Sequence, residues 1–382
     1  MRILLVSNCR LEANQGSGYV ICGFAEQMRR GGHKVEAHGP DDFIWFPRLR
    51  RLKRLRLLLG YTWTVLRRVL GGRFEVIELW GGPGWMACWI LSLIPWRRFV
   101  IVSRSNGLEP HYKHVLRLGR AIGTATEIAA LGGTLEEIGY RRCDALTLVS
   151  HFDEVFAHAR HYKGKNERER VIVIENPLED DWLGQEINFV REPVIGFVGS
   201  WIERKGSGIL PEVMRRVLDA MPNVRFLLIG IGEETSRRLR RDFPDPNLVE
   251  IIPFCPRSEL RNHYRRMAVL IAPSIYESFG LTFAESMACG AALAATPVGF
   301  AAGLIDGREF RAINEGSPAG ITALIGELLG DMPNRQRIAE AGFKRVQSLC
   351  WSDAARRIIS LYERLLRDKF GADHFGRHTI QP

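Results

Sequence analysis

Two glutamates, Glu277 and Glu285, are separated by seven intervening residues in the stretch PSIYESFGLTFAESMACG, residues 273–290. The preceding MAVLIAPS reads as a buried parallel strand bounded by turn residues. Leu281 to Cys289 reads as a helix, with Gly290 where a C-terminal cap belongs. Glu277 then lies on the strand-to-helix loop and Glu285 about one turn into the helix. Backbone N–H groups around Phe279, Gly280 and Leu281 would face whatever sits above that helix start, a position that attracts phosphate. Carboxylates accept hydrogen bonds from hydroxyls. Two of them beside an anion site suit a ligand with both hydroxyls and phosphates, as in a nucleotide sugar. The spacing alone equally suits a solvated helix face.

The block around these residues resembles the Glu-x7-Glu signature of retaining family-4 glycosyltransferases with the GT-B fold. The SFGL turn, the AESMACG helix and the downstream ATPVGF all follow that pattern. The resemblance implies that Glu277 lies by the donor sugar and that Glu285 binds the nucleotide ribose. After the strand VIGFVG, the segment SWIERKG is similar to the family's diphosphate-binding stretch, which places its phosphate-contacting lysine at Lys205, before Gly206. Ser200 replaces the family's arginine after the strand glycine, and Arg204 is a candidate for the missing charge, since guanidinium suits diphosphate oxygens. Arg204 and Lys205 opening a solvated helix is the competing reading. Tyr264, at the family's pre-strand tyrosine, reads as packing rather than chemistry. FLLIGIG, ending at Gly232, looks like the next strand and glycine turn, near the base.

The segment VSRSNGLEPHY resembles a family segment with histidine before Gly-Leu-Glu, and here that position is Asn106. Asparagine can bond a sugar hydroxyl on the acceptor side but cannot shuttle a proton. His111 and His114 read as ordinary loop histidines. The pair His158 and His161 reads as a solvated helix face, with no third ligand to make a metal site. No D-x-D sequence occurs, so no metal and no other cofactor is expected. Stabilisation of the leaving group then falls to Lys205 and the helix start near Gly280.

A chain of 382 residues, with 46% hydrophobic and 25% charged residues, suits two α/β domains of ordinary size. Residues 1–185 read as an N-terminal Rossmann-like domain on the acceptor side. Residues 190–350 read as a C-terminal Rossmann-like domain on the nucleotide-sugar donor side, the two facing across an interdomain cleft in a GT-B architecture. The first begins with strand ILLVSN, the loop NQGSG, a helix through residues 20–30 and strand HKVEAH, followed by FEVIEL, RRFVIVSR and ALTLVS. Gly16 and Gly18 permit close backbone approach to a ligand, and the resemblance makes Gly16 a cleft residue, with a plain tight turn the alternative. The spacing is not the dinucleotide fingerprint. The helical pattern over 351–367 resembles one that crosses back onto the first domain, and 368–382 reads as a loose tail.

The net charge of +10 is concentrated: nine basic and no acidic residues lie between Arg48 and Arg73, interleaved with Leu49, Leu52, Leu55, Leu59, Trp63, Leu66 and Leu70. A helix of this kind suits an anionic membrane surface or a lipid-linked acceptor; it equally suits a helix whose apolar face covers the first sheet. No nucleic-acid motif accompanies the charge. Seven scattered cysteines without C-x-x-C argue for a reducing compartment and against a disulfide frame or zinc site. MRILLVSN enters a strand directly, without the look of a signal peptide. The location implied is cytoplasmic, peripheral on the inner membrane face. The activity implied is a hexosyltransferase-type glycosyltransferase moving a sugar, with retention, from a nucleotide diphosphate sugar to a hydroxyl of a lipid-linked or polysaccharide acceptor at the membrane surface. The alternatives are a nucleotide-sugar epimerase of related fold and a non-catalytic nucleotide-sugar-binding subunit.

Overall fold

The structure, a computed structural model, describes residues 1–12, 16–43, 51–118 and 133–371. The described residues form two compact units. One gathers Met1–His114, residues 133–177 and the chain from Trp351; the other is Leu178–Cys350, with residues 115–118 grouped to it. The division falls at Pro177/Leu178, so residues 178–185 belong with the second unit and not, as the sequence suggested, with the first. Leu178 N–H donates to Leu349 O, Gly184 N–H to Gln347 Oε1, and Trp182 meets Tyr264 edge-on, which ties the link to that unit.

The first unit is a six-stranded sheet in the order β2-β1-β3-β4-β5-β6, every pair parallel. Its strands are β1 (Arg2–Ser7), β2 (Lys34–His38), β3 (Val76–Trp80), β4 (Val100–Arg104), β5 (Ala145–Leu148) and β6 (Val171–Val173). Helices α1 (Gly16–Arg30), α2 (Lys53–Gly71), α3 (Trp85–Ser92), α4 (Glu109–Leu118), α5 (Glu136–Arg142) and α6 (His151–Ala159) connect them. Strands β3 and β4 are buried along their whole length, as expected where helices cover both faces of a parallel sheet.

In the second unit the order is β12-β11-β10-β7-β8-β9, again parallel throughout. Its strands are β7 (Val194–Val198), β8 (Arg225–Ile229), β9 (Val249–Ile252), β10 (Val269–Ala272), β11 (Ala292–Ala295) and β12 (Arg311–Ala312). Helices α7 (Leu210–Ala220), α8 (Glu233–Asp242), α9 (Arg257–Tyr264), α10 (Leu281–Ala288), α11 (Pro318–Gly330) and α12 (Met332–Val346) surround it. Read from its far edge, this is the doubly wound 3-2-1-4-5-6 order, and its strand order reverses between β7 and β10.

The last helix, α13 (Trp351–Phe370), belongs to the first unit and runs past the 367 expected for it. Trp351 lies edge-on to Tyr19 and Phe24, with ring centroids 5.6 and 5.4 Å apart, and its Nε1 donates to Tyr19 Oη at 3.3 Å. A Cβ on Gly23 would come within 2.0 Å of the Trp351 ring, so only glycine leaves room for that indole. Farther along, Arg357 donates to Val173 O and Lys369 pairs with Asp144.

One feature of the first unit departs from the sequence expectation. His111 and His114 are buried on α4 and are not loop residues; His111 Nδ1 lies 2.7 Å from Asp153 Oδ1, and its ring stacks on Phe156. On α2 the residues turned inward are Gly60, Tyr61, Thr62, Thr64 and Val65. Leu52, Leu55, Trp63 and Leu70 are exposed, whereas Leu66, with Leu57 and Val69, packs part-buried against the core of this unit, so only part of the stripe of large apolar residues is covered. Arg48, Leu49 and Arg50, the Asn14–Gln15 end of the first loop and the tail from 372 lie outside the described residues.

Candidate functional site

The ends of β7 and β10 carry the residues the sequence singled out. Ligands bind open α/β sheets beyond the strand C-termini at the point of order reversal, which here is the gap between these two strands. The loop after β7 turns through a short 3-10 segment, Glu203–Lys205, and ends at Gly206 with φ +83°. A Cβ on Gly206 would sit 2.5 Å from Pro273 Cγ and 2.7 Å from Pro273 O, so this glycine is what lets the β7 loop lie against the β10 loop. Ile275 N–H donates to Arg204 O at 2.9 Å, and Arg204 Nη1 donates to Tyr276 O at 2.6 Å. The two loops are thereby stitched into one surface.

On that surface the three charged candidates converge. Glu277 is buried and takes an ion pair from Lys205 Nζ at 3.2 Å on Oε1 and from Arg204 Nη1 at 3.3 Å on Oε2. Ser274 Oγ donates to Glu277 Oε1 at 3.1 Å. The Arg204 and Lys205 side chains are 24% and 16% exposed, so the cations keep an opening to solvent while the carboxylate between them does not. Two cations around one carboxylate leave a net positive charge beside the α10 start. There Gly280 is the N-cap with φ +83°, Phe279 is buried, and Leu281 opens the helix. Ser200 is exposed on the β7 loop, and its O accepts from Ile202 N–H at 3.0 Å.

Glu285, the fifth residue of α10, is 2% exposed. Arg257 Nη1 donates to its Oε1 at 2.7 Å, and Tyr264 Oη donates to its Oε2 at 3.0 Å. Each oxygen keeps a lone pair beyond that contact. Burial, reinforced by the Glu285 charge, pushes the Tyr264 hydroxyl well above the usual phenol range, so it stays a donor. The same two causes push the neighbouring Cys289 thiol up to about 12. Tyr264 is thus more than packing. Arg257, which the sequence reading passed over, also reaches Glu179 Oε1 at 3.3 Å and lies over the Trp182 ring. Ser274 was passed over too.

Gly16 and Asn106 belong to the first unit. Gly16 is exposed at the first position of α1 with φ +53°, and a Cβ there would meet nothing within 4 Å. Asn106 follows β4, and its Oδ1 is buried without a hydrogen-bond partner among the described residues.

Two parallel α/β units, one with its charged loops at the order reversal, define the class: this is a GT-B fold. Residues 192–331 match the family described as glycosyl transferases group 1. The chain is 29% identical over 182 residues to a D-inositol 3-phosphate glycosyltransferase of Thermobifida fusca, covering 44% of this chain and 42% of that protein. It is also 29% identical over 202 residues to a phosphatidyl-myo-inositol mannosyltransferase of Mycobacterium leprae, covering 50% of this chain and 53% of the relative. The chain thus spans about half or less of the length of these curated relatives. Among solved structures it resembles the sucrose-phosphate synthase of Thermosynechococcus elongatus, with a TM-score of 0.73, 17% identity, and 96% and 99% coverage of the two chains. Anabaena HepE in complex with UDP gives a TM-score of 0.68 at 15% identity, with 95% and 100% coverage.

Proposed function

We propose that the protein transfers a sugar from a nucleotide diphosphate sugar to a hydroxyl with retention of configuration, without a metal on the diphosphate. The observation that carries this reading is the convergence of Arg204, Lys205 and Glu277 at the order reversal of the second sheet. In the ligand-free state Glu277 pairs with both cations. An arriving diphosphate competes for them, and Lys205 with the N–H groups at Gly280–Leu281 then bears the charge that develops on the departing phosphate. Arg204 supplies the guanidinium absent at Ser200. Released from its ion pairs, Glu277 turns its carboxylate toward the sugar hydroxyls. Glu285, fixed by Arg257 and Tyr264, offers its remaining lone pairs to the ribose. Asn106, with its unpartnered Oδ1, is the acceptor-side contact. The fold relative solved with UDP supports a nucleotide donor.

Helices α2 and α3 support a reading of the acceptor and its location. No described helix is long and apolar enough to cross a membrane. Exposed Leu52, Leu55, Trp63 and Leu70 of α2 lie among exposed Lys53, Arg54 and Arg67, and α3 with the turn after it adds Trp89, Leu93 and Trp96. Apolar anchors set among cations suit an anionic membrane face and a lipid-linked acceptor there. A panel of nucleotide sugars tests the activity through release of free nucleotide with and without membrane extract. Acceptor-dependent release is expected; donor isomerisation, or binding without turnover, would replace the reading. Cosedimentation with anionic vesicles is expected for the wild type and reduced in Trp63→Glu.

A further inference from the structure

Helix α9 is short and carries two different faces. Arg257 and Tyr264, seven residues apart, project together onto Glu285. Glu259 and His263, four residues apart, fall on the opposite side of the same helix, since 3.6 residues per turn places them about half a turn away. Cys255 lies two positions before the first helical residue, ahead of the N-cap Pro256. The Cys255 thiol, the Glu259 carboxylate and a His263 ring nitrogen all lie within 4.8 Å of one another. Cys255 and His263 are half-buried, while Glu259 faces solvent. Ligand atoms around a tetrahedral zinc stand about 3.5 Å apart, given bonds of about 2.0–2.3 Å. At no more than 4.8 Å apart, the three atoms stand within about 1.3 Å of that spacing.

We propose that Cys255, Glu259 and His263 form a three-ligand site for zinc or a similar borderline divalent cation, with a solvent-facing fourth position, and that its occupancy fixes α9 and thereby the grip of Arg257 and Tyr264 on Glu285. Thiolate, imidazole and carboxylate are the donor set that such an ion takes. Binding releases the thiol proton to solvent. Two contacts compete: the Cys255 thiol donates to Pro256 O at 3.4 Å, and Arg266 Nη1 lies 3.5 Å from His263 Nδ1. The second is a long hydrogen bond, and Arg266 keeps its pairing with Glu250 if the metal takes this nitrogen. The ion would belong to the helix and not to the diphosphate groups, so a metal-independent transfer reaction is compatible with it.

Cobalt(II) titration of the purified full chain, after chelator treatment, tests the site without reference to activity. The expected result is one cobalt per chain with a thiolate-to-cobalt charge-transfer band. That band is lost in Cys255→Ser, and affinity falls at least tenfold in His263→Gln and in Glu259→Gln. Circular dichroism and melting of the variants establish that they fold. A band that is absent from the wild type, or that survives in Cys255→Ser, overturns the site. The coupling rests on the nucleotide reading of Glu285 and has its own readout, the affinity for UDP with zinc and with chelator. A shift of about threefold or more is expected in the wild type and none in Cys255→Ser. Cobalt binding with unchanged, measurable UDP affinity removes the coupling alone, whereas no UDP affinity under either condition removes the donor-site reading and leaves the metal site standing.

Discussion

A buried carboxylate meets guanidinium in each unit, at Glu277 in the second and at Glu78 in the first, and the two clusters are built differently. In the second unit Glu277 is enclosed, but its cations Arg204 and Lys205 keep an opening to solvent. In the first, Glu78 and Arg104 are 0% and 1% exposed and 3.7 Å apart. The Arg104 guanidinium stands 3.8 Å from the Phe24 ring centroid and 4.5 Å from that of Trp80. Burial raises the Glu78 carboxyl, with Arg104 and Tyr362 pulling it back. Burial likewise lowers Arg104. A sealed pair of this kind serves the core, because no ligand can reach it; a pair with open cations can exchange its partner for an anion. Accessibility of the charge, more than its burial, separates the site from the scaffold.

That contrast can be broken at either end. Lys205→Ala is expected to lower kcat by about 10²–10³-fold, the effect of removing a preorganised donor to developing charge, with little change in melting temperature. Glu277→Ala is expected to act mainly on turnover as well, and wild-type kinetics in both variants would remove the assignment. Next in size, Arg104→Ala should cost about 3 kcal/mol of stability by leaving Glu78 buried and unpaired, with the UDP affinity of the folded protein unchanged. Urea unfolding and UDP titration check the two halves, and weakened UDP binding would erase the distinction drawn here. Glu285→Ala and Arg257→Ala are each expected to weaken UDP binding about tenfold, equivalent to about 1.4 kcal/mol, with the effect on KM exceeding that on kcat.

The smallest effect concerns pH. Because the folded Glu78 carboxyl titrates above its unfolded value, its contribution is full below the unfolded pKa of about 4.3 and declines as pH rises through the folded value. The penalty of Arg104→Ala should therefore shrink in acid, where Glu78 is protonated. A penalty independent of pH would show that Glu78 is not the group left exposed to the loss.

Much of both sheets was legible because buried parallel strands appear as apolar runs between turn residues, as in VIGFVG and FEVIEL. Strands β6 and β12, with three and two residues, are too short to carry such a pattern. In the second unit the loop of Arg204 and Lys205 and the loop of Glu277 were each legible as a local motif, whereas their meeting across more than 70 residues is shown only by the fold. Arg257 was missed because what marks it is a contact 28 residues away with Glu285. The histidines of α4 were misplaced for a related reason: only the fold shows that Asp153, 42 residues on, meets His111. On α2 the amphipathic pattern was visible, but which face turns inward was not, since small and hydroxyl-bearing residues occupy the covered side.

The indole seated over Gly23 has a bearing on how the chain matures during translation. Trp351 and Tyr362 complete the interior that Tyr19, Phe24 and Glu78 begin, yet they leave the ribosome only after all of Leu178–Cys350. The usual order of synthesis, in which the amino-terminal half settles first, is thereby inverted: the later-made half can close while the earlier one still waits for its final piece. A nascent chain stalled near Cys350 would accordingly present an unfinished first half to chaperones and proteases.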